Sequence, residues 1–114
     1  MPSVPKRPIY RNRKWLNAAE GQSCVNCGAQ DGTVVAAHYQ GYRAGRYGKG
    51  KGQKPDDYLV ADLCHKCHSK FDTYEVADPN QTEFQKKIDH SEQFQHLILL
   101  TIKRRLAQGL AFRS

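Results

Sequence analysis

The sequence predicts an α+β fold: two short strands and a helix stapled by a metal ion, with one helix before that core and helices after it. Three observations predict it. Two Cys-x-x-Cys pairs, Cys24/Cys27 and Cys64/Cys67, offer four thiolates, the set that zinc takes in tetrahedral structural sites. Two β-rich runs lie between the first pair and the second. Towards the C-terminus apolar residues recur every three to four positions, the period of a helix. With 114 residues the chain forms a single domain near the lower edge of what a hydrophobic core alone can hold. Structural zinc on Cys24, Cys27, Cys64 and Cys67 would supply part of the missing stability, because its binding energy is folding energy.

Residues 1–12 form a basic arm, with prolines at 2, 5 and 8 beside Lys6 and Arg7. Lys14 to Glu20 has good helix formers, and Gly21 is the expected stop. The core spans 22–76. Its first knuckle is Cys24 to Cys27, where Gly28 permits the turn that a metal-binding loop needs. Thr33 to Tyr39 reads as a strand carrying His38, and Tyr58 to Leu63 as a second. Between them, residues 41–54 hold five glycines and five cations (Arg43, Arg46, Lys49, Lys51, Lys54) with no acid. Such a loop cannot pack a core, but it can bring backbone N–H groups and positive charge to phosphates. A helix is expected from Cys67 to Glu75. The region 80–110 is helical: a short piece from Thr82 to Ile88 after a break at Asp78 and Pro79, then a longer helix capped by Ser91. Its stripe of Phe94, Leu97/Ile98, Thr101/Ile102 and Leu106 is core packing; Lys103, Arg104 and Arg105 suit the dipole at its C-terminal end, and Gly109 is the stop. The full apolar turn Leu97 to Leu100 is also where a homodimer would form.

The formal charge is +7, and it is unevenly spread. Residues 1–54 hold ten Lys/Arg against Glu20 and Asp31, whereas residues 55–114 hold eight against nine acids. A basic half joined to a near-neutral half is the footprint of a polyanion partner, most simply nucleic acid. The N-terminal residues carry charge with no apolar run behind them, so no secretory signal is expected. No segment approaches transmembrane length, so no membrane partner is expected. A reducing cytoplasm, where close-set cysteines favour metal over disulfides, is the expected location.

The order strand with His38, loop, strand, then Cys64-His65-Lys66-Cys67-His68 on a helix resembles the HNH (ββα-metal, or His-Me finger) endonucleases. The segments Ala37-His38-Tyr39, Gly48 to Asp57 and Leu63 to His68, with Asp72, are closer still to small prophage-encoded nucleases of that superfamily, including the YbcO-like nucleases and the phage recombination-enhancement nucleases. The likeness covers residues 22–75. It implies a metal-dependent hydrolase of DNA phosphodiester bonds that leaves 5′-phosphate and 3′-hydroxyl ends. It places His38 at the general-base position, for which an imidazole titrating near neutrality is suited. His68 falls at the helix position that holds the catalytic divalent ion, Mg²⁺, Mn²⁺ or similar. Asp72, four residues on along the same helical face, would add a carboxylate to that ion.

Two positions depart from the pattern. Ala37 stands where many HNH enzymes carry a metal-binding acid or histidine; either Asp72 or another residue replaces it, or His38 is itself a ligand. The middle asparagine is missing, and its place falls near Asp57 or Tyr58, with Asp57 the candidate to orient the base. His65, His90 and His96 read as surface or helix residues rather than ligands. Residues 64–68 also match the Cys-x-x-Cys-His attachment motif of c-type haem, which would need neither the second cysteine pair nor a cytoplasmic setting. The rival to an enzyme is a zinc-binding module that binds nucleic acid without cutting it. Whether a phage recombination or packaging protein directs the cutting is left open by the residues.

Overall fold

A computed structural model describes residues 10–41, 54–73 and 80–110 of the chain. Among the described residues five elements follow one another: α1 (Arg13–Asn17), β1 (Val35–His38), β2 (Val60–Leu63), α2 (His65–Asp72) and α3 (Glu83–Ala107). The result is a small mixed α/β unit with a two-stranded antiparallel sheet and a cluster of four cysteines.

α1 starts one residue earlier than expected and stops three earlier. Asn12 is the reason for the start: its side chain accepts from the Trp15 N–H and caps the helix. The turns that follow run to Gly21, whose φ of 77° is the left-handed conformation a helix exit favours. The short helix survives through Trp15, which is fully buried. The Trp15 carbonyl accepts from Arg105 Nε at 2.7 Å, and the Arg105 guanidinium lies 5.6 Å from the centre of the indole.

β1 is trimmed at both ends relative to its β-rich run, and β2 starts two residues late but ends at Leu63 as expected. Asp31 accepts from the Thr33 N–H and hydroxyl, which turns that residue out of the strand. Pairing sets Val35 opposite Leu63 and His38 opposite Val60, and one bond beyond it, from Tyr39 N–H to Leu59 O, ties the far end. β2 is buried along its whole length, as expected of a strand covered on both faces. α3 packs across it, and Phe94 meets Tyr39 and Phe71 edge-on at 5.8 and 5.0 Å between ring centres.

The C-terminal region corrects two expectations. Thr82 to Ile88 is not a separate helix, and Ser91 is not a cap. One 25-residue helix runs through both, capped by Thr82, whose hydroxyl accepts from the Gln85 N–H. Nothing between Ile88 and Ser91 breaks the ladder, and Ser91 is buried with its hydroxyl against that of Tyr39. α2 begins at His65, two residues before the expected start, because the second knuckle is itself the first turn. The break at Asp78 and Pro79, the residue Glu75 and most of the arm lie outside the described residues.

A buried ion cluster was not anticipated. Asp62, in the middle of β2, accepts from Arg105 at both oxygens (2.7 and 2.8 Å) and from Arg104 at 2.7 Å. The two arginines read in the sequence as partners of the helix dipole, and here they are the counter-charges of a carboxylate with no exposure.

Candidate functional site

The first knuckle hangs from the sheet. The Val25 N–H donates to the Asp62 carbonyl at 2.9 Å, and the loop closes on itself through Gly28 N–H to Cys24 O at 2.8 Å. Gly28 has a φ of 82°, the conformation glycine adopts at least cost. The second knuckle is the turn from β2 into α2, where the His68 N–H donates to the Cys64 carbonyl. All four sulfurs then lie within 4.8 Å of one another, Cys27 and Cys64 at 3.7 Å. A tetrahedral ion with metal–sulfur bonds of about 2.3 Å spaces its ligands about 3.8 Å apart, so the donor set fits zinc in both chemistry and size. The gathering of all four thiols is what such an ion needs and what thioether attachment of haem does not.

The thiols themselves report the same demand. Burial pushes Cys67 up to about 12 and raises Cys64 as well, and the sulfurs of Cys24 and Cys27 add to both shifts. For Cys24, burial also acts upward, but hydrogen bonds from the backbone of Cys64, Cys27 and Asn26 outweigh it and bring the thiol down to about 7. Four crowded sulfurs do not all ionise unaided, and a divalent cation is the charge that would let them. Asn26 supports the group from outside, donating to Cys67 Sγ at 3.3 Å. Among the described residues, this is the one set of three or more His, Cys, Asp or Glu donors close enough to share an ion.

On the other side of the sheet end, His38 and His68 line one cavity of about 220 Å³ together with Lys54, Gln40 and Pro55. His38 is the last residue of β1 and His68 sits on the first turns of α2, so the strand–helix geometry brings together side chains 30 positions apart. His38 Nε2 lies 2.9 Å from Asp57 Oδ1. The same oxygen accepts from Arg11 Nη1 at 3.1 Å, and Oδ2 accepts from the Asn12 N–H at 2.7 Å. Burial alone would raise the Asp57 carboxyl; the bonds from His38, Asn12 and Arg11 outweigh it and hold it below the usual carboxylate range. An ionised carboxylate only accepts, so in the neutral imidazole the proton is on Nε2 and the lone pair on Nδ1.

The other expected site residues are more scattered. Asp72 Oδ1 lies 3.9 Å from His68 Nε2, beyond hydrogen-bond range; it is half exposed and is not part of the cavity wall. Of the five loop cations only Lys54 falls within the described residues, and it lines the cavity; Arg43, Arg46, Lys49 and Lys51 lie outside them. His65 and His96 are exposed. His90 is buried instead, its Nε2 donating to the Phe71 carbonyl at 2.8 Å and joining α2 to α3. Arg11 and Asn12 were not singled out in the sequence, where they read as part of the arm. The one signal for them is Pro55-Asp56-Asp57: two adjacent acids that fold inward demand donors, without saying from where. The described helices include none long and apolar enough to cross a membrane.

A family model described as a protein of unknown function, DUF968, matches residues 2–109. No curated protein and no solved structure matches the chain.

Proposed function

We propose that this chain, which belongs to the DUF968 family, is a metal-dependent endonuclease of the HNH type that hydrolyses DNA phosphodiester bonds. One observation carries the reading: His38, already bonded to a buried carboxylate, shares a cavity with His68 and Lys54. Hydrolysis needs a base for water, a Lewis acid on the phosphate oxygens and cations to hold the strand. His38 takes the water's proton at Nδ1 while Asp57 steadies the imidazolium that forms. The oxygen of that water bonds to phosphorus and the bond to the 3′ oxygen breaks, leaving a 5′-phosphate and, once the leaving oxygen takes a proton from solvent, a 3′-hydroxyl. His68, with Asp72 reaching in from outside the cavity wall, would hold the divalent ion, Mg²⁺, Mn²⁺ or similar, which would supply the Lewis acid. Lys54 and the loop cations Arg43, Arg46, Lys49 and Lys51 give affinity that does not depend on sequence and falls steeply with salt. Zinc on Cys24, Cys27, Cys64 and Cys67 is scaffold, and its four thiolates leave no open position for chemistry.

Plasmid nicking in Mg²⁺ or Mn²⁺ tests this directly, with His38→Ala beside the parent. Nicking by the parent and its loss in the variant support the enzyme. Retarded DNA with no nick under either ion would instead establish the non-catalytic zinc module.

A further inference from the structure

We infer that Arg11 is a positioning residue for His38, clamping Asp57 so that the imidazole is held in one orientation and one tautomer. The inference rests on the reading of His38 as the base for its catalytic consequence, though the clamp itself is geometric.

Asp57 is 4% exposed. A carboxylate so buried is tolerated only when paired and fully hydrogen-bonded, and besides His38 its partners here, Arg11 and Asn12, come from a segment at least 45 positions away. Arg11 reaches it as a fork. Nη1 donates to Asp57 Oδ1 at 3.1 Å and to the Pro55 carbonyl at 2.7 Å, while Nη2 donates to the Lys54 carbonyl at 2.9 Å. A single guanidinium therefore binds both the acceptor of His38 and the backbone that carries the cavity's lysine. The neighbouring backbone completes the seam: Tyr10 N–H donates to Asp56 Oδ1 at 2.9 Å, Asp57 N–H to the Tyr10 carbonyl at 2.9 Å, and Asn12 N–H to Asp57 Oδ2.

Each of these bonds removes a freedom from Asp57 and so from His38. Asn12 holds one oxygen. Arg11 holds the other at the spot where it faces His38 Nε2. Without the fork, the side chain keeps one firm anchor, and the shared oxygen is no longer fixed against the ring. The imidazole then gains access to both tautomers, and Nδ1 carries the proton part of the time, which disables it as an acceptor. Lysine cannot substitute, because a point ammonium does not span a carboxylate and two carbonyls at once.

The test is long-range ¹H–¹⁵N NMR of the histidine rings in the zinc-loaded full chain at pH 8, with single-turnover nicking measured in parallel. In the parent, His38 shows the Nε2–H tautomer alone. In Arg11→Ala, His38 becomes a tautomer mixture and nicking slows about tenfold or more. His90 is the internal control for folding, since its Nε2–H to Phe71 O bond holds it in one tautomer in both proteins. Arg11 is half exposed, so its loss is expected to leave the fold intact; if Arg11→Ala does not fold, Arg11→Gln, which keeps part of the stem and one NH2 group but no charged fork, is read in the same way. A single His38 tautomer in the folded variant overturns the inference, as does nicking at the parental rate. A parent that never nicks overturns the proposed function instead, and the tautomer still reads the clamp.

Discussion

The cysteine quartet and the histidine cavity lie on neighbouring turns of the same chain and are built on opposite terms. The quartet gathers four donors of one kind within 4.8 Å, three of them buried, and its backbone bonds run within the knuckles and to β2. The cavity has two imidazoles and a lysine around about 220 Å³ of open space, and the bond that His38 makes runs outward to Asp57. A closed donor set favours a permanent ion and leaves no room for substrate; an open one gives up affinity to leave room. His68 belongs to both regions, its backbone closing the second knuckle and its side chain lining the cavity. The scaffold therefore sets the placement of one of the cavity's two imidazoles.

The largest effect should come from the quartet. Structural zinc is worth on the order of 10 kcal/mol, comparable to the whole stability of a small domain. Cys64→Ala, or exhaustive chelation, is expected to abolish zinc binding and cooperative unfolding together, read by metal analysis and circular dichroism. A Cys64→Ala protein that folds and keeps its metal would erase the contrast between the regions. Next is Asp62→Asn, which leaves Arg104 and Arg105 facing an uncharged partner beside the first knuckle. Breaking a buried pair on one side costs about 3–5 kcal/mol, visible as a lower urea midpoint.

His38→Ala is the converse case. It should slow nicking by about 10²–10⁴-fold with the urea midpoint and zinc content close to the parent's. If zinc is lost as well, the two regions are not separable. The smallest effect concerns Asp57. Its carboxyl is held below the ordinary 3.8, so the stability it contributes is present above that value and disappears as pH falls through the lower, folded one. Asp57→Asn should therefore flatten the loss of melting temperature below about pH 4. An unchanged acid limb would mean that Asp57 is not held as an ion.

The two regions also differ in how far they could be read in the sequence. Cys24, Cys27, Cys64 and Cys67 declare themselves, because knuckle spacing is local and thiols have few other reasons to recur in pairs. His38 and His68 were visible as the end of a β-rich run and a position on a helix, and Asp57 as the acid before the second strand. Arg11, by contrast, looked like one more charge on a basic arm. Arg104 and Arg105 looked like dipole partners at a helix end. Ser91 looked like a cap, although it lies inside a continuous helix and meets Tyr39. In each case the partner is at least 40 residues away, and nothing in the neighbouring sequence distinguishes a buried arginine from a solvated one.

By itself the sequence determined the α+β character, the four-cysteine cluster, the two strands and the histidines flanking them, since these follow from local spacing and periodicity. Only the tertiary structure decided which charges neutralise which. It set Arg11 on Asp57 and Arg105 on Asp62, and it brought His38 and His68 to one cavity while leaving Asp72 outside the wall. The physical reason is that backbone preference acts over a few residues, whereas a buried charge takes whatever counter-charge the packing of distant elements delivers.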